Sequence, residues 1–341
     1  MVVAELSANH GHRLDVALES VRAAARAGAD AVKIQTYTAD TITLDCDSED
    51  FIVKGTSLWD NRTLYNLYQE AYTPWEWHEA IFAEAAKAGI ECFSTPFDRS
   101  AVDFLEGLGN PYMKIASFEI TDVPLIEYAA SKGKPMIIST GIATLEDIAL
   151  AVESCRKAGN DDITLLKCTS AYPAPVEDAN LLTMEDMARR FGVKVGLSDH
   201  TIGSGVALTA VSLGAVMVEK HFILDRSIGG PDAAFSMQAD EFAAMVEAIR
   251  KAESGGEVCR CAEALGTVYY PTDTSRISGR QFCRSLYAAK DILPGETFTR
   301  ENVRSVRPGY GLHPRHLPEI LGRKASCAIK AGTRFSLEFV K

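Results

Sequence analysis

Eight short apolar runs, rich in β-branched residues, alternate with stretches of helical spacing, and this alternation restricts the fold more than any other feature of the chain. The runs fall at 2–6, 31–35, 90–95, 112–116, 135–140, 163–169, 193–198 and 215–222. Helical spacing fills 14–27, 74–88, 145–158, 184–191 and 205–213, with a last helix expected at 239–254. Two of these stretches end in glycine, at Ala27-Gly28-Ala29 and Ala88-Gly89-Ile90, where a left-handed cap turns the chain toward the next strand. Eight strand–helix units predict an α/β fold, a closed parallel (β/α)8 TIM barrel. An open doubly wound sheet would share the alternation, but no Gly-rich turn follows the first run.

At 341 residues the chain exceeds the roughly 250 of a typical barrel, so a second unit is expected. Periodicity fades after Gly255, and the texture changes again near Phe282 to short β-type runs and turns such as Pro294-Gly295-Glu296. The predicted organisation is a barrel over 1–265, a linker over 266–281 and a small domain over 282–341. Units shorter than about 70–80 residues rarely hold much core of their own, so the small domain should pack on a barrel mouth, its own or a partner's.

The net charge of −11 argues against nucleic-acid and anionic-membrane partners, both of which require clustered excess cations. No apolar run approaches the roughly 18 residues of a membrane span, and no basic segment follows Met1. The eight cysteines are irregularly spaced, and Cys259-Arg260-Cys261 fits neither a zinc knuckle nor a redox pair. Reduced thiols and a cytoplasmic location are expected.

In a barrel, polar residues at the C-terminal ends of strands are the candidates for chemistry. Here every run ends in them: Glu5, Asn9 and His10; Lys33 and Gln35; Ser94 and Thr95; Lys114, Ser117 and Glu119; Ser139; Ser170 and Tyr172; Ser198 and His200; Glu219 and His221. Period two sets Lys33 with Gln35, Ser198 with His200 and Glu219 with His221 on common faces. One strand-end histidine ordinarily caps its own loop, but two on neighbouring strands suit a divalent metal with open positions. Lys33 and Lys114, with the hydroxyls of Ser94, Thr95, Ser117, Ser139, Ser170 and Ser198, form a ring suited to a small anion bearing phosphate and carboxylate. Single hydroxyls at strand ends also cap helices, whereas inward lysines are seldom kept without an anion. His10 and His12 read as solvated loop histidines, His78 as surface or structural, and the aromatics Trp59, Trp75, Trp77, Tyr65, Tyr68 and Tyr72 as packing on the barrel wall.

Taken together, several segments resemble the sialic acid synthase family, and within it the pseudaminic acid synthases. They are Ala4-Glu5-Leu6-Ser7-Ala8-Asn9-His10, Lys33-Ile34-Gln35-Thr36, Lys114-Ile115-Ala116-Ser117-Phe118-Glu119, Ser139-Thr140-Gly141, Gly196-Leu197-Ser198-Asp199-His200 and Glu219-Lys220-His221-Phe222. The C-terminal piece, with Ser285-Leu286-Tyr287 and Val306-Arg307-Pro308-Gly309, looks like the antifreeze-like (SAF) domain of those enzymes. The resemblance implies condensation of phosphoenolpyruvate with an N-acetylated amino sugar. It implies that His200 and His221 hold Mn2+ or Mg2+, with Glu5 and Glu219 handling water and its protons. Phosphoenolpyruvate would be held by Lys33, Thr95, Lys114, Ser117, Ser139, Ser170 and Ser198, and the sugar by Gln35, Phe97, Tyr172, Asp232 and Arg307. Arg307 would enter the other subunit's barrel, which implies a domain-swapped homodimer.

The implied sugars, in order, are a 2,4-diacetamido-2,4,6-trideoxy-altrose, its legionaminate-type isomer and N-acetylmannosamine. A metal-dependent sugar-phosphate aldolase would use the same imidazole pair and anion ring. A non-catalytic sugar- or ice-binding protein would need only the small domain.

Overall fold

The computed structural model describes residues 1–54, 60–256, 260–274, 277 and 279–341. Eight parallel strands form one sheet: β1 (Val2–Glu5), β2 (Ala31–Thr36), β3 (Glu91–Pro96), β4 (Met113–Ile115), β5 (Met136–Ser139), β6 (Ile163–Cys168), β7 (Lys194–Asp199) and β8 (Val218–His221). Their order, β3-β2-β1-β8-β7-β6-β5-β4, leaves β3 and β4 at the two ends. The buried Asn110 side chain closes that seam. Its Oδ1 accepts from the Ser94 amide at 2.9 Å, and its amide donates to the carbonyls of Ser94 and Tyr112. The predicted TIM barrel is the observed fold, with helices such as Leu14–Arg26, His78–Ala88, Leu145–Lys157 and Ala239–Glu253 packed outside.

Local chemistry sets the helix ends. Asp98 accepts from the amides of Ser100 and Ala101, and Thr144 with Asp147 forms a reciprocal capping box. Gly89 closes its helix at φ 76°, as its position before the third run predicts.

Alternation along the strands layers the barrel interior. Val3, Ala31, Phe93, Ile137, Leu166 and Met217 form an apolar floor. One step toward the mouth, the same faces carry Glu5, Lys33, Thr95, Ser139, Cys168, Ser198 and Glu219. The polar layer therefore stands directly on an apolar floor.

The small domain carries an antiparallel pair, β9 (Ser285–Ala288) and β10 (Val303–Val306). It has an apolar cluster of its own, which includes Leu286, Phe298, Ile320 and Phe335. Phe282, Cys283, Tyr287 and Val306 join the barrel's core instead. The domain thus shares a core with the barrel in addition to holding a small one. Residues leading into it are pinned to the barrel: the Tyr269 amide bonds Thr183 Oγ1 at 3.0 Å and Arg280 bonds Asp147 at 2.6 Å.

Candidate active site

Two lysines and two glutamates meet in the layer above the floor, all buried. Lys33 Nζ lies 2.6 Å from Glu5 and 3.5 Å from Glu219, and Lys114 Nζ lies 4.0 Å from the other Glu219 oxygen. The β1–β8 and β1–β2 registers produce this meeting by setting Glu5 opposite His221 and Lys33. The two lysines are therefore neutralised by protein carboxylates. This corrects the expectation that an inward lysine implies a bound anion by itself. Around them, Lys114 donates to Ser139 Oγ at 2.6 Å, Lys33 approaches Thr95 Oγ1 at 3.4 Å and Ser198 donates to Glu219 at 3.2 Å. Ser170 donates to Ser117 at 2.9 Å, and Ser117 accepts from the Ile142 amide.

Burial pushes the Glu5 carboxyl up, with Lys33 opposing and Glu219 reinforcing the rise. Burial would also raise Glu219, but Lys114, Lys33 and His200 outweigh it and hold that carboxyl down. The two adjacent carboxyls are thus driven in opposite directions, Glu5 up and Glu219 down.

At the mouth, the His200 and His221 rings are 5.4 Å apart. His200 Nδ1 bonds the Thr169 carbonyl at 2.9 Å, which leaves Nε2 free to act as a ligand. Burial opposes a proton on His200, but the Cys168 sulfur and the Thr169 carbonyl beside Nδ1 more than compensate, so a proton and a metal would compete for Nε2. His221 is driven well below its usual range by burial and by His200, and its buried Nδ1 makes no hydrogen bond among the described residues. His221 is thus held as a neutral imidazole suited to a metal, and His200 could join it by giving up its proton. Among the described residues no cluster of three or more His, Cys, Asp or Glu side chains is grouped for a metal, so water and substrate would complete the shell.

Gln35, Phe97, Tyr172, Asp232, His221 and Arg307 all line one cavity of 140 Å³ in the barrel mouth. Gln35 donates to Glu5 at 2.9 Å and to Ser7 at 3.0 Å, and Ser7 donates to Asp232 at 2.5 Å. Arg307 enters from the small domain of the same chain, whereas the resemblance implied a partner's. Its guanidinium bonds both oxygens of Glu119, at 2.9 and 2.8 Å, and Tyr68 Oη at 3.1 Å. Arg284, also buried, shares Glu119 at 3.0 Å and donates to the Phe97 carbonyl at 2.6 Å.

This geometry corrects the expectations for Ser94 and His10 and agrees with those for His78 and Trp75. Ser94 turns out of the barrel to bond Thr36 and the Ile34 carbonyl, because two adjacent residues of a strand cannot both face inward. His10 is buried, not solvated, with Nε2 3.1 Å from Thr73 Oγ1. His78 is structural, bonded to Thr36 at 2.8 Å. Trp75 stacks on Phe104 at the wall, and Trp59 lies outside the described residues. In the sequence, Arg284 is not singled out for the site, Tyr68 reads as wall packing, and Glu119 is a strand-end candidate without a role. Their link spans up to 239 residues of chain and leaves no local signal, although Glu119 closes a motif that the resemblance rests on.

Comparison with known proteins places the chain in a family. The NeuB family pattern matches residues 20–257, and the SAF domain pattern matches residues 284–338. A pseudaminic acid synthase of Campylobacter jejuni is 50% identical over 331 residues, covering 97% of this chain and 94% of its own. Another pseudaminic acid synthase, from Helicobacter pylori, is 49% identical over 341 residues, covering 100% and 97%. The crystal structure of the spore coat polysaccharide biosynthesis protein SpsE of Bacillus subtilis superimposes with a TM-score of 0.85 at 31% identity, covering 100% of this chain and 95% of that one. With one pattern matched over most of the chain and the other over its C-terminal part, the chain belongs to the NeuB family.

Proposed function

We propose that this chain is a pseudaminic acid synthase, condensing phosphoenolpyruvate with 2,4-diacetamido-2,4,6-trideoxy-altrose to a nonulosonic acid and phosphate. The observation that carries this reading is the mouth cavity. It gathers Gln35, Phe97, Tyr172, Asp232 and Arg307 above the layer of Lys33, Lys114, Glu5 and Glu219, in a chain about half identical to synthases of that name.

In this reading Lys114, Ser117, Ser139, Ser170 and Ser198 hold the phosphate of phosphoenolpyruvate, and Lys33 with Thr95 its carboxylate. Gln35, Phe97, Tyr172, Asp232 and Arg307 orient the sugar so that its aldehyde faces the enol carbon. A manganese or magnesium ion held by His200 and His221 would polarise that aldehyde as a Lewis acid. The C3 carbon forms the new C–C bond, water adds at C2, and the C2–O bond breaks to release phosphate. Glu5 and Glu219 move the protons of the water and the new hydroxyl. Phosphoenolpyruvate labelled with 18O at its bridging oxygen tests the bond order: the label should leave in phosphate, and label retained in the sugar acid would refute the mechanism.

We further read the chain as a cytoplasmic homodimer in which the small domains are exchanged, the barrel being 1–265, the linker 266–281 and the small domain 282–341. In support of the location, the seven described cysteines are free thiols, and no helix among the described residues is long and apolar enough to cross a membrane. Exchange would keep every contact of Arg307 and move only the linker. Mixing His200→Ala with Arg307→Ala subunits tests it. An exchanged dimer regains one intact site per hybrid and recovers activity, and a dimer without exchange recovers none.

A further inference from the structure

A cavity of 450 Å³ lies outside the barrel interior, between the ends of β5 and β6, the helix Leu182–Phe191 and the segment 269–273. Its position follows from register. On β6, Cys168 pairs with Ser198 and Lys167 with Leu197, so alternation turns Cys168 toward the barrel axis and Lys167 away from it.

Lys167 is only 8% exposed. Among the described residues its ammonium bonds the Cys168 carbonyl at 3.0 Å and forms no ion pair. Lys220, the outward lysine of β8, shows the usual solution: Asp199 neutralises it at 2.6 Å. Burial draws the Lys167 ammonium down to about 8, against the opposing pull of Cys168 and of the Asp178 carboxylate. Lys167 lines the cavity, and the carboxylate of a ligand bound there would give it the direct ion pair that it lacks among the described residues.

The rest of the lining describes the body of that anion. Thr140, Thr169 and Thr183 already donate their hydroxyl protons to the carbonyls of Leu166, Asp178 and Thr267, so they can offer a ligand only lone pairs. The Asp178 and Asp273 carboxylates, also in the wall, are further acceptors. One cation facing several acceptors suits a ligand with a single negative group on a body rich in hydroxyl donors. The volume falls within the roughly 300–1,000 Å³ usual for small-molecule sites.

We propose that this cavity is a second binding site, for a sugar acid whose carboxylate pairs with Lys167 and whose hydroxyls donate to Asp178, Thr140 and Thr169. The site has no lining residue in common with the mouth cavity, although Ser170, placed above among the phosphate hydroxyls, also borders it. The inference does not depend on the condensation reaction.

The test is site-resolved acetylation of the intact protein by an N-hydroxysuccinimide ester at pH 8, read by mass spectrometry at Lys167. The probes are N-acetylneuraminate, gluconate, neutral glucitol and inorganic phosphate. Either sugar acid should slow labelling of Lys167 at least threefold while glucitol leaves it unchanged. Calorimetry should show N-acetylneuraminate binding to Lys114→Ala, and binding at least tenfold weaker in Lys167→Met. Labelling unaffected by both acids would overturn the proposal, even if Lys167→Met does not fold. Equal protection by inorganic phosphate would overturn the sugar part and leave an anion site.

Discussion

Replacing Glu119 by Gln isolates the contact that fastens the small domain over the barrel mouth. The carboxylate is fully buried and accepts from Arg284 Nε at 3.0 Å, Arg307 Nε at 2.9 Å and Arg307 Nη2 at 2.8 Å. The substitution keeps the volume but removes the only carboxylate paired with two buried guanidinium groups among the described residues. It also sets an amide donor against a guanidinium donor. Removing one partner of a buried ion pair costs about 3–5 kcal/mol, because the charge left behind stays desolvated. Arg284 keeps carbonyl acceptors on Ile42, Phe97 and Ser305, so the loss should fall near the lower end, about 3 kcal/mol. Urea unfolding, followed by both far-UV circular dichroism and tryptophan fluorescence, measures it. An exposed pair, Lys330 with Asp291, serves as the control, and Lys330→Gln should leave the midpoint where it was. A loss below about 1 kcal/mol in Glu119→Gln would refute the view that this cluster is a desolvated ion network.

Three further outcomes follow from the same geometry. Lys114→Ala should raise the KM for phosphoenolpyruvate at least tenfold while leaving that for the sugar nearly unchanged, and equal effects on both would remove Lys114 from the phosphate site. Gly141→Ala would bring a Cβ within 2.2 Å of Ser170 Oγ and 2.6 Å of Ser117 Oγ, so it should weaken phosphoenolpyruvate binding in titration calorimetry and cost about 1–3 kcal/mol of stability. Unaltered binding would mean that this hydroxyl pair does not touch the substrate. His200→Ala should abolish turnover and lower Mn2+ affinity measured by electron paramagnetic resonance in the absence of substrate, and wild-type manganese binding would refute the ligand assignment.

Much of the barrel could be read directly, because strand faces repeat every two residues. That period alone places Glu5, Lys33, Thr95, Ser139, Ser198 and Glu219 in the interior once the strands are found. It also explains the error at Ser94, which neighbours the inward Thr95 and so must face out. What could not be read depends on register or on distant chain. Neutralisation of Lys33 by Glu5 and Glu219 requires β1 to sit between β2 and β8. The carboxamide that closes the β3–β4 seam belongs to a loop residue, Asn110, that nothing nearby distinguishes. The Glu119–Arg284–Arg307 cluster joins residues 165 and 188 positions apart, and only docking of the small domain brings it together. Burial of His10 likewise depends on Thr73, across an excursion of 63 residues.

The central claim is tested most directly by phosphate release from phosphoenolpyruvate with manganese, measured separately with the diacetamido altrose, its legionaminate-type isomer and N-acetylmannosamine. The account predicts rapid release with the altrose and at least tenfold less with either alternative. Faster release with another sugar would contradict the substrate assignment, and release with none of the three would contradict the condensation itself.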